Sequence, residues 1–182
     1  LSFSALNVQT WRSKGKRHFR VHQEFDRFYY PQEPYNYHAI KVNGLTKKVI
    51  TQKRDRSGGK YPQHFIQDQD VPAFCRQVAL AVCHNTPFDT KFLKHAHGFE
   101  FPSTFCTMRN FTQYCSIPHP HYRIKWPKLE EAVQIICGRD DFEFHDSLAD
   151  CYAVLEILKV IGNSEEANGE YRWSEVFDRL FS

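Results

Sequence analysis

The stretch LAVCHNTPFDTKFL, residues 80–93, decides the fold. Leu80, Ala81, Val82 and Cys83 form the short continuous apolar run of a buried strand. Thr86 and Pro87 then open a helix, because proline's fixed φ suits the first turn and its missing N–H goes unneeded there. Phe88, Phe92, Leu93 and Ala96 recur at helical spacing and predict an apolar face that anchors the helix, with Asp89 in its first turn. A buried strand running straight into a helix is half of an α/β unit, and the strand's end is where such proteins build sites.

Working outward, LSFSALNVQTW (1–11) alternates Leu1, Phe3 and Ala5 against Ser2 and Ser4, the period of a half-buried strand. Lys14-Gly15-Lys16 predicts a hairpin turn, and HFRVHQEFDRFYY (18–30) an antiparallel partner strand with Phe19, Val21, Gln23 and Phe25 on one side. Residues 31–46 carry two prolines and Asn43-Gly44 and read as a loop with one helical turn; the basic stretch 47–60 reads as mobile. Asp70 is the expected cap of a helix with Pro72 in its first turn and Phe74 and Val78 inward.

Downstream, FPSTFCTMRNFTQYC (101–115) predicts a brief strand and a helix, and Pro127 opens another helix that Gly138 ends. FHDSLADCYAVLEILKVIG (144–162) is the strongest helix, with Leu148, Cys151, Leu155 and Leu158 at helical spacing and Gly162 as its stop. A polar linker and an amphipathic helix over 173–181 follow. The element order predicts an α/β fold with a mixed sheet, one domain over 1–182 in which 163–182 is a C-terminal linker and helix.

Composition bounds the rest. With 182 residues, 41% hydrophobic and 15% aromatic, the chain suits one domain with a substantial core. No apolar run approaches the roughly 18 residues of a membrane helix. Six cysteines without a C-x-x-C spacing predict buried free thiols in a reducing compartment, hence a soluble, cytoplasmic protein that meets no membrane. The balance of 24 basic and 21 acidic residues does not argue for nucleic acid, but its distribution is uneven. Arg12, Lys14, Lys16, Arg17 and Arg20 crowd one segment, and Lys47, Lys48, Lys53, Arg54, Arg56 and Lys60 another; such runs are solvated turns or phosphate contacts.

Asp89 and Asp150 each fall near a helix start. There a carboxylate either complements the helix dipole, for about 0.3–1 kcal/mol, or joins a second acid in binding a hard divalent cation. His145 precedes Asp150 by five positions, which turn a helix by about 500°, so the ring must sit ahead of the helix to point the same way. Asp146, four before Asp150, does share its face. His95 with His97 and His119 with His121 allow a zinc reading, disfavoured because i and i+2 diverge on a helix.

Together these segments carry a resemblance. HNTPFDTKFL (84–93) resembles the second motif of the proofreading 3′–5′ exonucleases, the DEDDh branch of the DnaQ-like family. HDSLADCYAVLEIL (145–158) looks like their third motif, and YPQEPYNYHAIKVNGLT (30–46) is similar to the loop near the substrate's 3′ end. FCTMRNFTQY and KWPKLEEAVQIICG match the intervening pattern; the motifs keep the family's order and span roughly 1–161.

The resemblance implies a ribonuclease H-like mixed β-sheet flanked by helices. It also implies hydrolysis of a single-stranded DNA or RNA 3′ end to nucleoside 5′-monophosphates. Two Mg²⁺ or Mn²⁺ ions would be held in part by Asp89 and Asp150, with His145 as general base. Asn85, Asn43, Leu45 and Thr46 would contact the terminal nucleotide, Leu45 wedging against a base. Tyr35, Tyr37, Tyr122 and Arg123 are further candidates to track the strand.

The family's first motif, D-x-E, is missing from 1–182, and Glu24 and Asp26 stand in the wrong order to replace it. It is expected on a preceding central strand, without which two half-sheets would face each other. The alternative is a catalytically inactive nucleic-acid-binding or adaptor module on the same fold.

Overall fold

The first layer is a long antiparallel hairpin, β1 (Ser2–Ser13) with β2 (Lys16–Phe28). Its turn holds Lys14 and Gly15 both at positive φ, +49° and +78°, the mirror-image turn whose twist matches the strands it joins. A bulge interrupts the register: Asn7 opposes Gln23 while Val8 opposes Val21, leaving His22 extra. The extra residue reverses the facing of β2, so the expectation that Phe19, Val21, Gln23 and Phe25 share one side is corrected. Phe19 packs on the cluster around Val133 and Ile157, whereas Phe25 packs with Phe65, Val71 and Phe74.

The computed structural model describes residues 1–164 together with 167–168 and 171–172. After the hairpin come α1 (Tyr37–Asn43), α2 (Lys47–Arg56), a 3₁₀ turn (Phe65–Gln67) and α3 (Asp70–Cys75). Next are β3 (Ala81–Cys83), α4 (Thr86–His97), β4 (Thr104–Cys106), α5 (Thr107–Asn110) and α6 (Thr112–Cys115). The chain continues through α7 (Leu129–Cys137), α8 (Ser147–Ile161), β5 (Ala167–Asn168) and β6 (Tyr171–Arg172). The β5–β6 pair falls where a linker was expected; the helix expected over 173–181 lies outside the described residues.

The architecture is mixed α/β with small sheets. Among the described residues β1–β2 and the parallel pair β3–β4 are separate two-stranded units, not parts of the one mixed sheet expected. Helix α8 joins them by packing on β1, β2 and β3, and the Cys151 thiol donates to the Ser4 carbonyl (3.2 Å). At its far end Gly162 lets the hairpin approach. A Cβ there would sit 2.9 Å from the Leu158 carbonyl and 3.2 Å from the Phe19 ring. Among the described residues no helix is long and apolar enough to cross a membrane.

Two local expectations change. Of the basic stretch 47–60, expected to lack regular structure, residues 47–56 are helical: Thr46 Oγ1 accepts from the Val49 N–H (3.3 Å), and Ile50 and Arg54, one turn apart, are buried. The Arg54 guanidinium donates to the carbonyls of Phe28 (2.7 Å), Tyr61 (2.8 Å) and Pro62 (3.0 Å), fastening α2 to β2. Asp70 lies inside the first turn of α3 and pairs with Arg27 (2.9 Å). Arg27 also grips the buried carboxylate of Asp68, which accepts from the Tyr29 hydroxyl as well (2.7 Å).

Candidate functional site

Asp89 is placed by the junction between β3 and α4. The His84 Nε2–H donates to the Pro127 carbonyl (2.9 Å), which leaves Nδ1 to accept from the hydroxyl of fully buried Thr107 (2.9 Å). Asn85 then turns the chain at φ +73°, a left-handed conformation that asparagine tolerates better than most residues. The Thr86 hydroxyl donates to the Phe105 carbonyl (3.0 Å). The first turn of α4 is thereby pinned to β4 and to the start of α7.

Asp89 is half-buried, and burial pushes its carboxyl up to about 6. Among the described residues no Lys or Arg pairs with it. Phe88 and Phe92, expected to anchor α4, are 61% and 44% exposed. Leu93 supplies the anchor, and the two phenylalanines form a wall beside Asp89.

The start of α8 sorts its acids. Asp146 caps the helix, accepting from the N–H groups of Leu148 (3.2 Å) and Ala149 (3.3 Å), and its other oxygen pairs with Lys53 (2.6 Å). Its carboxyl is held below the usual range by the Lys53 ammonium and these N–H groups, against burial. Asp150, on the same helical face, receives among the described residues only the main-chain N–H of His145 (3.3 Å), and burial raises its carboxyl. His145 lies just ahead of the helix at φ +73°, as the spacing required, with its ring exposed.

Four of the acids lie within electrostatic reach of Cys151. Its thiol is pushed up to about 12 by burial and then by the charges of Asp150, Asp89, Asp26 and Asp146. Two cavities open beside this cluster. One, about 430 Å³, is lined by Asn43, Leu45, Lys53, His145 and Asp146. The other, about 520 Å³, is lined by Tyr35, Asn43, Leu45, Phe88, Asp89 and Phe92. Asn43 and Leu45 belong to both walls, so the His145 and Asp89 cavities adjoin.

The other candidates take different places. Asn43 accepts from the Leu45 N–H (3.0 Å) across Gly44, and Leu45 is buried with Phe28 and Ile50, only its edge reaching the cavities. Thr46 serves as the cap of α2; neither it nor Asn85 lines either of these two cavities. Tyr37 and Tyr122 are exposed on the surface.

The sequence placed Lys53 only in a basic run and set Asp26 aside for its order, yet both stand beside the acids. Asp26 lies opposite Ser4, takes its hydroxyl hydrogen (2.5 Å) and feels both Asp146 and Lys53. Only the bulge at His22 reveals which way Asp26 faces, and only a helical 47–56 aims Lys53. Among the described residues no three His, Cys, Asp or Glu side chains are grouped to hold a metal ion by themselves. Asp89 and Asp150 do have the chemistry for a share in one: oxygen donors, raised by burial and, among the described residues, unneutralised by Lys or Arg. No protein-family model matches the chain, and neither does any curated protein or solved structure.

Proposed function

We propose that the chain belongs to a metal-dependent 3′–5′ exonuclease of the DnaQ-like DEDDh kind, built on a ribonuclease H-like fold. It would remove nucleoside 5′-monophosphates from the 3′ end of single-stranded DNA or RNA. One observation carries the proposal: Asp150 accepts from the main-chain N–H of His145, and His145 lines a cavity adjoining that of Asp89, which is distant from both in sequence.

Asp89 and Asp150 would hold Mg²⁺ or Mn²⁺, which when bound polarises the phosphate and stabilises charge on the attacking and leaving oxygens. His145 would accept the proton of the attacking water as general base. Phe88, Phe92 and Tyr35 would offer stacking faces to the terminal nucleotide. Two ions need more oxygen ligands than these two acids provide. A strand bearing two further carboxylates between β1 and β3 would complete both the ligand set and the sheet.

The test uses the native full-length protein, Mg²⁺ and a 5′-labelled single strand with a free 3′ end. Stepwise shortening that Asp150→Ala and His145→Ala abolish is the expected result. Full activity in either variant would discard the mechanism. Binding without any shortening by the wild type would favour the non-catalytic module.

A further inference from the structure

We propose that the far end of the β1–β2 hairpin is a second nucleic-acid contact surface, holding the phosphate backbone several nucleotides from the 3′ end. The inference rests on the exonuclease reading for the position of that end.

Charge is the first observation. Residues 1–23 contain Arg12, Lys14, Lys16, Arg17 and Arg20 and no Asp or Glu, while the whole chain carries only +3. The rest of the chain is therefore net acidic even though it includes the basic run 47–60, and the hairpin is one of two places where positive charge is concentrated.

Arrangement is the second. On one face of the hairpin Trp11 lies flat on His18, ring centroids 5.3 Å apart at 15°, with the Arg20 guanidinium 5.9 Å from the indole. Arg20 is steered by a hydrogen bond to Gln9 (2.5 Å). Trp11 keeps 42% of its surface exposed, and Lys14 and Lys16 flank it at the turn. The opposite face lies against Gly162 through the Arg17 and Phe19 side chains, and the edge of β2 is tied there: the Arg17 main-chain N–H donates to Asn163 Oδ1 (2.8 Å), and Asn163 Nδ2 donates to the Arg17 carbonyl (2.9 Å). The platform is thus fixed to the end of α8.

A flat aromatic stack edged by cations suits a strand that presents both bases and phosphates. It suits a lipid surface poorly, because the face formed by Gln9, Trp11, Lys16, His18 and Arg20 has one apolar side chain to insert. The same face of β1 carries Leu1 and Phe3 into the wall of the Asp89 cavity. From Phe3 to Trp11 an extended strand covers about 26 Å, the length of roughly eight stacked nucleotides.

The experiment measures binding of fluorescent single strands of about 5 and about 25 nucleotides, in EDTA to prevent cleavage, to the wild type and to Lys14→Ala/Lys16→Ala and Trp11→Ala variants. These sites are exposed, and circular dichroism verifies the fold. For the long strand the double variant should bind at least about 10-fold more weakly, its salt slope reduced by about one per lysine. The short strand, which cannot span both places, should bind all three proteins alike. Equal loss for both lengths, or none for either, overturns the proposal. So does displacement of the long strand by phosphatidylserine vesicles that depend on the same lysines. A wild type that binds with this length dependence yet never shortens a strand in Mg²⁺ leaves the hairpin surface standing and removes the exonuclease reading.

Discussion

The main-chain N–H of His145 donates to Oδ1 of Asp150 (3.3 Å), across the left-handed turn that admits the chain to α8. One carboxylate therefore sets the angle at which the imidazole leaves the backbone while remaining unpaired with any Lys or Arg among the described residues. Asp150→Asn keeps an oxygen acceptor for that N–H and loses the charge. It is expected to leave the thermal midpoint close to wild type and to lower strand hydrolysis by about 10²-fold or more. Collapse of the fold in this variant would mean that Asp150 is structural.

At His145 the backbone itself offers a separate test. A non-glycine residue at φ +73° is strained by about 1 kcal/mol, which His145→Gly relieves while removing the imidazole. Hydrolysis should drop by about 10²–10⁴-fold without loss of thermal stability. An unchanged rate would show that no proton passes through this ring.

Asp89 should make the protein less stable as pH rises. Its folded carboxyl, pushed up to about 6, binds a proton more tightly than the unfolded one near 3.9, so its penalty is absent below about pH 4 and complete above about 6. Asp89→Asn removes that penalty. Denaturant melts should find the variant more stable than wild type at pH 8 by on the order of 2 kcal/mol and equal to it at pH 4. Millimolar Mg²⁺ should raise the wild-type midpoint at pH 8 and leave the variant unmoved; equal shifts would locate the cation elsewhere.

His97 works on the acid side. Both of its ring nitrogens are buried and neither meets a hydrogen-bond partner of good geometry among the described residues; its ring lies edge-on to Phe65 at 4.8 Å, and burial lowers its pKa. The unfolded imidazole, titrating near 6.5, takes up a proton before the folded one does, so stability is complete above that pH and declines as pH falls through it. His97→Phe preserves the ring contact and cannot be protonated. The stability difference between variant and wild type should widen from pH 7 to pH 5; a constant difference would mean that the imidazole is solvated.

Arg54 tests whether α2 is part of the folded unit. Replacement by Met fills similar space but strands the carbonyls of Phe28, Tyr61 and Pro62, and should cost about 2–4 kcal/mol. Hydrogen exchange should accelerate first in 47–56. A loss within about 0.5 kcal/mol would show that water replaces the guanidinium freely.

Much of the fold was legible because it depends on neighbours within about four residues. Lys14-Gly15 closes a hairpin, Pro87 starts α4, Gly138 at φ +64° ends α7, and Asp89 and Asp150 occupy first turns, each through local backbone chemistry. The helix over 47–56 was hidden because its order comes from carbonyls of Phe28, Tyr61 and Pro62, outside the segment's own pattern. Phe88 and Phe92 read as core because periodicity cannot say whether a neighbouring element covers an apolar face, and here an open cavity adjoins it.

What the sequence by itself determined was the order of elements and which acids and which histidine stand at their ends. Only the tertiary structure decided which of those acids are free of a Lys or Arg partner. Lys53, 93 residues from Asp146, pairs with that acid and leaves Asp150 to the His145 backbone. It also set the facing of Asp26, through one extra residue in β2, and the separation of β1–β2 from β3–β4. The physical reason is common to all three: each depends on a partner far away in the chain, and a side chain's electrostatic surroundings exist only once that partner has been brought to it.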